Sequence, residues 1–277
     1  MNVKCTEEFS LSFLQMIQQY ALQLAVTVGL IVLIGAVISV SKRLFLKCCK
    51  GGAYRVELVT GLVGTPIHEL SHAFFCLVFG HKITRICLWT PTPQNGNIGY
   101  VTHSYKKRNL WHQIGNFFIG VAPIIGGSAV LYLLLWLLLP ETAEALLGGA
   151  ITLPQDLREI PKGFFDTARS VILRLFAPAN FLRFHWYLYF FFALPIVLHM
   201  EISRSDLRSG LWGFSFLALL CFFSDLALFF FYPEGLLSVT SVMVSVGAFL
   251  SVFLCLSALL SVLLLLISAV AALFGRR

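Results

Sequence analysis

The chain has 277 residues, of which 58% are hydrophobic and only 12% are charged, and its formal net charge is +7. Soluble globular domains carry about 25% charged residues, so this composition excludes an ordinary soluble enzyme and favours a polytopic membrane protein. The basic residues lie between apolar runs, where they set membrane topology and contact anionic lipid, so we expect no nucleic-acid partner.

The first apolar run predicts a membrane span over residues 21–40, which is about the twenty residues that a bilayer requires. Residues 1–19 are mixed in polarity and predict an interfacial lead-in to that span. The segment after the span carries five basic residues and no acid, which is typical of a cytoplasmic loop. These five are Lys42, Arg43, Lys47, Lys50 and Arg55.

The second predicted span, 58–79, contains the sequence HELSH, an H-E-x-x-H motif. Helical residues four apart share a face, so His68 and His72 are able to bind one metal ion. Glu69 is the expected general base toward the attacking water. Two imidazoles, with a third ligand from elsewhere, indicate catalytic Zn²⁺. The alternative is a polar cluster that holds helices together within the membrane.

Residues 81–113 differ in character, with two short β-branched and aromatic stretches around a polar centre. Asn95 and Gly96 form a strong hairpin turn signal, so a β-hairpin is predicted near residues 83–103. A protease must hold its substrate extended, and a sheet edge does so by adding the substrate as a strand. The alternative is a plain connecting hairpin.

The third predicted span, 114–139, has small residues crowded into its first half, which favours close packing against the metal helix. Asn116 lies in this half and is a candidate to hydrogen-bond a substrate carbonyl or an oxyanion. The alternative is an asparagine that only links helices.

The chain then becomes apolar again over 185–200, which is short for a full span and is interrupted by Pro195. A polar stretch separates it from a further apolar run, 211–232, and this pattern predicts a broken helix at membrane depth. The last apolar run, 236–274, predicts one long tilted helix rather than a helical hairpin.

These elements together predict an all-α polytopic membrane protein with about six transmembrane helices and a small β-hairpin after the second. We divide it into an N-terminal region 1–56, a metal-binding core 57–211 and C-terminal transmembrane helices 212–277.

Three residues are candidates for the third metal ligand. Asp206 sits at the predicted helix break with a glycine four residues on, and the alternative is that it caps the helix together with nearby serines. His199 is a second candidate, as a ligand or a transition-state contact, although a lone histidine is ordinarily a satisfied core residue. Asp225 is the third, because an intramembrane aspartate is a functional hypothesis by default.

The HELSH sequence, the hairpin, the glycine-rich third span and a distal aspartate resemble the site-2 protease family of intramembrane zinc metalloproteases. The similarity covers roughly residues 57–211, and H-E-x-x-H is its one sharp motif. The resemblance implies that His68 and His72 are zinc ligands, that Glu69 is the catalytic base, and that Asp206 is the third ligand.

Two further stretches carry this resemblance. Asn116 and the VAPIIGG segment loosely match the glycine-proline-asparagine pattern of that family's following helix. Asp206, with Pro195 upstream, matches the aspartate of its L-D-G motif, although here Ser205 precedes the aspartate and the glycine is displaced to Gly210. The two regions look most like a bacterial branch, so we expect a multi-pass protein of a bacterial cell membrane.

The function implied is zinc-dependent hydrolysis of peptide bonds in a membrane protein or peptide substrate within the lipid bilayer. One rival is a non-proteolytic membrane protein, either a metal-stabilised scaffold or a transporter, since intramembrane histidines and aspartates also mark ion pathways. A second rival is a pseudoprotease that binds transmembrane helices without cutting them.

Overall fold

The structure is a computed structural model that describes residues 3–92, 97–152 and 160–274. The protein is mostly helical, at 84%, with one small two-stranded sheet, which confirms the predicted helical class with a hairpin. The predicted turn at Asn95 and Gly96 lies outside the described residues.

The chain begins with helix α1 (Val3–Leu24), a π-helical segment (Ala25–Gly29) and helix α2 (Leu30–Cys48), which follow one another directly. The predicted lead-in is therefore continuous with the first span as one helical rod. The predicted basic loop is also shorter than expected. Helix α2 continues to Cys48 because no glycine or proline occurs between residues 36 and 50 to end it.

Helix α3 (Ala53–Val78) carries the HELSH motif. Its C-terminal end is followed by Gly80, whose φ of 70° is the left-handed conformation that glycine adopts at helix ends. The hairpin follows directly: strand β1 (Lys82–Cys87) pairs antiparallel with strand β2 (Tyr100–Ser104), as predicted.

Six further α-helices follow among the described residues. The last of them is unbroken over 42 residues, about 63 Å at the α-helical rise, which confirms one long helix rather than a hairpin. The six are α4 (Leu110–Leu138), α5 (Pro140–Ile151), α6 (Ile160–Leu175), α7 (Phe184–Leu198), α8 (Arg204–Phe231) and α9 (Pro233–Phe274).

Four helical stretches of the described residues are long and apolar enough to cross a membrane, so the chain is an integral membrane protein. The predicted count of about six spans is not confirmed. Helix α7 is shorter than a full span, and the polar motif residues lower the hydropathy of α3. The four stretches are Phe13–Cys48, Leu110–Leu138, Ser205–Phe231 and Pro233–Ala272.

Glycines set the close helix contacts that position the motif. A Cβ at Gly64 of α3 would lie 2.3 Å from the carbonyl oxygen of Pro195 in α7. A Cβ at Gly120 of α4 would lie 2.6 Å from the carbonyl oxygen of Asp206 in α8. Only hydrogen fits at either place, so α7 and the start of α8 lie directly beside α3 and α4. This is the close packing that small residues permit between membrane helices.

Candidate metal centre

Two histidines of α3 face each other one helical turn apart. The Nε2 atoms of His68 and His72 are 3.1 Å apart. The Nδ1 of His68 donates to the carbonyl oxygen of His199 at 2.5 Å, and the Nδ1 of His72 donates to that of Ile119 at 2.8 Å. A carbonyl oxygen only accepts, so each neutral ring carries its proton on Nδ1 and its lone pair on Nε2. The two lone pairs therefore meet, and this repulsive arrangement is relieved by a cation placed between them.

Asp206 joins this pair from the start of α8. Its Oδ2 lies 3.7 Å from the Nε2 of His72, and one ligand atom from each of His68, His72 and Asp206 lies within 4.8 Å of the other two. The same Oδ2 accepts from the backbone N–H of Ser203 at 3.1 Å, and the Ser203 hydroxyl accepts from the N–H of Asp206 at 3.1 Å. The carboxylate thus completes a helix capping box and also faces the histidines, so the two predicted roles are compatible.

The other two third-ligand candidates are placed differently. His199 has both ring nitrogens near hydroxyls, with Nε2 3.0 Å from Thr60 and Nδ1 3.3 Å from Thr65. It therefore supports His68 through its carbonyl, while its ring is held by threonines beside the cavity. Asp225 lies elsewhere in α8, where its Oδ1 accepts from the amide of Gln23 in α1 at 3.4 Å.

Asn116 is buried in α4, and its amide donates to the side chain of Gln113 at 3.4 Å. Among the described residues, those that line the cavity beside the histidines include His199 but not Asn116. The geometry thus supports a packing role for Asn116, with its backbone against α8 at Gly213, and leaves its substrate contact a prediction.

A cavity of about 320 Å³ lies over the histidines and Asp206. Glu69 is buried at its wall, 6% exposed. The hairpin forms another wall, since residues 97–101 line the cavity. A Cβ at Gly99 would lie 2.4 Å from Thr65 Cγ2 and 3.1 Å from Glu69 Cγ, so the backbone leading into β2 lies directly against the motif.

Charge in the cavity favours a cation. Four carboxyl groups and one ammonium line it among the described residues. The ammonium is that of Lys42, which is buried, 5% exposed, and pairs with Glu57 at 3.0 Å and Glu201 at 2.6 Å. Glu69 and Asp206 are the two carboxyl groups without this partner, so a divalent ion beside them would favour their ionised forms.

Two features of this region were not predicted from the sequence. One is the burial of Lys42, which was predicted only to lie in a basic cytoplasmic loop. The other is a group formed by Cys76, His81 and His103 at the base of the hairpin. Burial and, to a smaller extent, the nearby His81 lower the pKa of His103 to about 4, so His103 is neutral at physiological pH. A cysteine and two histidines flanking a predicted hairpin were the available signal.

No family profile, curated protein or solved structure matches this chain. The function is therefore inferred from the residues and the geometry of the cavity alone.

Proposed function

We propose that this protein is an intramembrane zinc metalloprotease, similar to the site-2 protease family, which hydrolyses peptide bonds of membrane-embedded substrates. The observation that carries the proposal is the meeting of His68 and His72, each with Nδ1 held by a carbonyl, with the Asp206 carboxylate at a cavity that Glu69 also lines.

The donor set fits catalytic zinc. Two imidazoles and one carboxylate are three protein ligands, which leaves a fourth position for water or substrate. Zinc-binding histidines ordinarily donate their other ring N–H to a carbonyl or carboxylate. The carbonyls of His199 and Ile119 supply this support, and they come from the C-terminal end of α7 and from α4. The ligand orientation is thus fixed by the tertiary fold.

When bound, zinc supplies a Lewis acid for the scissile carbonyl and a water of lowered pKa. Glu69 follows His68 directly in α3 and lines the same cavity. Its carboxylate takes the proton from the attacking water and later passes it to the leaving amine. Its contact with the hairpin at Gly99 limits the solvent around this carboxylate.

The hairpin supports a protease because a substrate helix must unwind before cleavage, since helical peptide carbonyls are engaged in hydrogen bonds. Strand β2 pairs with β1 on one side, and the segment 97–101 borders the cavity. Its second edge offers main-chain donors and acceptors to an extended peptide. A substrate strand added there runs past Glu69.

The test compares two carboxyl-to-amide changes in one cavity. Purified Glu69→Gln is expected to retain wild-type zinc and to cleave a transmembrane reporter peptide about 10²–10⁴-fold more slowly, as for loss of a general base. Glu57→Gln is the matched control, because Glu57 also lines the cavity but pairs with Lys42. It is expected to keep most of the activity.

Each outcome decides among the functions considered. Equal cleavage by Glu69→Gln and wild type would show that Glu69 is not the base. Zinc binding without cleavage of any membrane substrate would favour the pseudoprotease. A closed site with four protein ligands would favour a metal-stabilised scaffold, and zinc flux into protein-containing liposomes would favour a transporter.

A further inference from the structure

A second set of metal-binding side chains lies one turn beyond the histidine pair. Cys76 is on α3, His81 precedes β1, and His103 is on β2. One ligand atom from each lies within 4.8 Å of the other two. Cys76 and His81 are almost completely buried, at 0% and 3% exposed.

The end of helix α3 brings the first two of these residues together. The N–H of His81 donates to the carbonyl oxygen of Cys76 at 2.8 Å, and that of Gly80 donates to Leu77 at 3.1 Å. These two bonds, with left-handed Gly80, form a Schellman motif, in which the residues equivalent to Cys76 and His81 usually make a hydrophobic contact. Here both positions carry metal-ligating side chains.

The imidazole orientations suit a metal. The Nε2 of His81 donates to the carbonyl oxygen of His112 at 2.9 Å, which leaves the lone pair of its Nδ1 toward His103, whose Nδ1 is 3.0 Å away. Nitrogen ligands of tetrahedral zinc are roughly 3.3 Å apart, as its bond lengths of about 2.0–2.1 Å require. The pair therefore needs to open by only a few tenths of an ångström.

We propose that Cys76, His81 and His103 bind a second zinc ion, which fastens the open end of the hairpin to helix α3. One thiolate and two neutral imidazoles are a typical zinc donor set. The ligands come from the helix end, the connection and the second strand, so the ion cross-links all three. It holds β2, and with it the segment 97–101 at the cavity wall, at a fixed distance from the HELSH turn.

The alternative is a hydrogen bond from the Nδ1–H of His103 to the Nδ1 of His81 beside a buried free thiol. The two arrangements differ at Cys76, which has a role only if a metal is bound. The test therefore compares Cys76→Ser with Cys87→Ser, which changes a half-buried cysteine of the same hairpin outside the cluster.

Zinc content of the full-length protein in detergent is measured by mass spectrometry. Two zinc ions per chain are expected in wild type and in Cys87→Ser, and one in Cys76→Ser and in His72→Ala. Cobalt is then substituted for zinc, because thiolate-bound cobalt gives a sulfur-to-metal charge-transfer absorption. This absorption is expected in wild type, Cys87→Ser and His72→Ala, and is expected to be lost in Cys76→Ser.

These readouts separate the second ion from the proposed protease. One zinc lost in His72→Ala, with no charge transfer in wild type, would overturn the second site and leave the protease intact. One zinc that is kept in His72→Ala and lost in Cys76→Ser would overturn the protease centre and support the second site. If Cys76→Ser fails to fold by circular dichroism, His103→Gln takes its place. Unchanged cobalt absorption in that variant would overturn the proposal.

Discussion

Gly120→Ala is the substitution that most directly tests whether the position of Asp206 governs metal binding. The new Cβ would lie 2.6 Å from the Asp206 carbonyl oxygen and 3.1 Å from Gly210 Cα, whereas ordinary contacts are 3.4–4 Å. Both obstacles are backbone atoms, so α8 must move away from α4 by about 1 Å. The Asp206 Oδ2, now 3.7 Å from His72 Nε2, moves with it.

A misplacement of about 1 Å costs roughly 10²-fold in a preorganised site, and loss of supporting contacts around a metal costs about 10–100-fold in affinity. We therefore expect Gly120→Ala to bind zinc 10–100-fold more weakly, as an order-of-magnitude range. Alanine has a higher helix propensity than glycine by about 1 kcal/mol, so weaker binding would not reflect a frayed α4.

The assay is a competitive zinc titration against an indicator chelator in detergent, with helicity checked by circular dichroism. Gly148→Ala is the matched control, since nothing lies within 4 Å of a Cβ at Gly148 in α5. Equal zinc affinity in the two alanine variants would refute the reasoning that the α4–α8 contact positions a metal ligand.

Three further predictions concern the cap, the hairpin and the buried ammonium. Asp206→Asn keeps an acceptor for the cap but weakens the ligand, so zinc titration should show lower affinity. Ser203→Ala should retain zinc and lose about 1 kcal/mol of stability in thermal unfolding. Unchanged zinc affinity in Asp206→Asn, with zinc lost in Ser203→Ala, would show that Asp206 acts only as a cap. Gly99→Val places a side chain against Thr65 and Glu69. Reporter cleavage should fall at least tenfold, on the order of one misplaced catalytic contact, while zinc is retained. Unaltered cleavage would show that the hairpin is not part of the active site. Lys42→Met leaves Glu57 and Glu201 without their shared cation, and thermal unfolding should show a loss of roughly 1–3 kcal/mol, whereas the neighbouring exposed Arg43→Met should show little change.

The histidine pair was predictable from the sequence because residues at i and i+4 lie on the same face of a helix. The hairpin was readable because β-branched stretches around a turn signal are local features. The position of Asp206 was not fixed by any local pattern. Its approach to His72 depends on the absent side chain of Gly120, and that dependence becomes visible only when α4 and α8 are packed together.

The burial of Lys42 was not predictable from the sequence for a related reason. Its partners are Glu57 on the next helix and Glu201 far along the chain, so the local sequence predicted only a basic cytoplasmic loop. The predicted count of about six spans is not confirmed, because α3 contains polar motif residues and α7 is short. Four helical stretches of the described residues are long and apolar enough to cross a membrane. The cysteine–histidine group depends on the helix end and the hairpin together, which sequence spacing does not reveal.

Helix α9 is about twice as long as the hydrocarbon core is thick, since its 42 residues extend about 63 Å and the core measures about 30 Å. Even at a steep inclination of about 40°, some 48 Å of it projects along the membrane normal. The C-terminal end of α9 exposes the hydrophobic side chains of Leu266, Ile267 and Val270. A stretch longer than the hydrocarbon core is accommodated by tilting, by kinking or by local thickening of the bilayer. Because α9 is unbroken, we expect the bilayer to be thicker beside its C-terminal end than elsewhere.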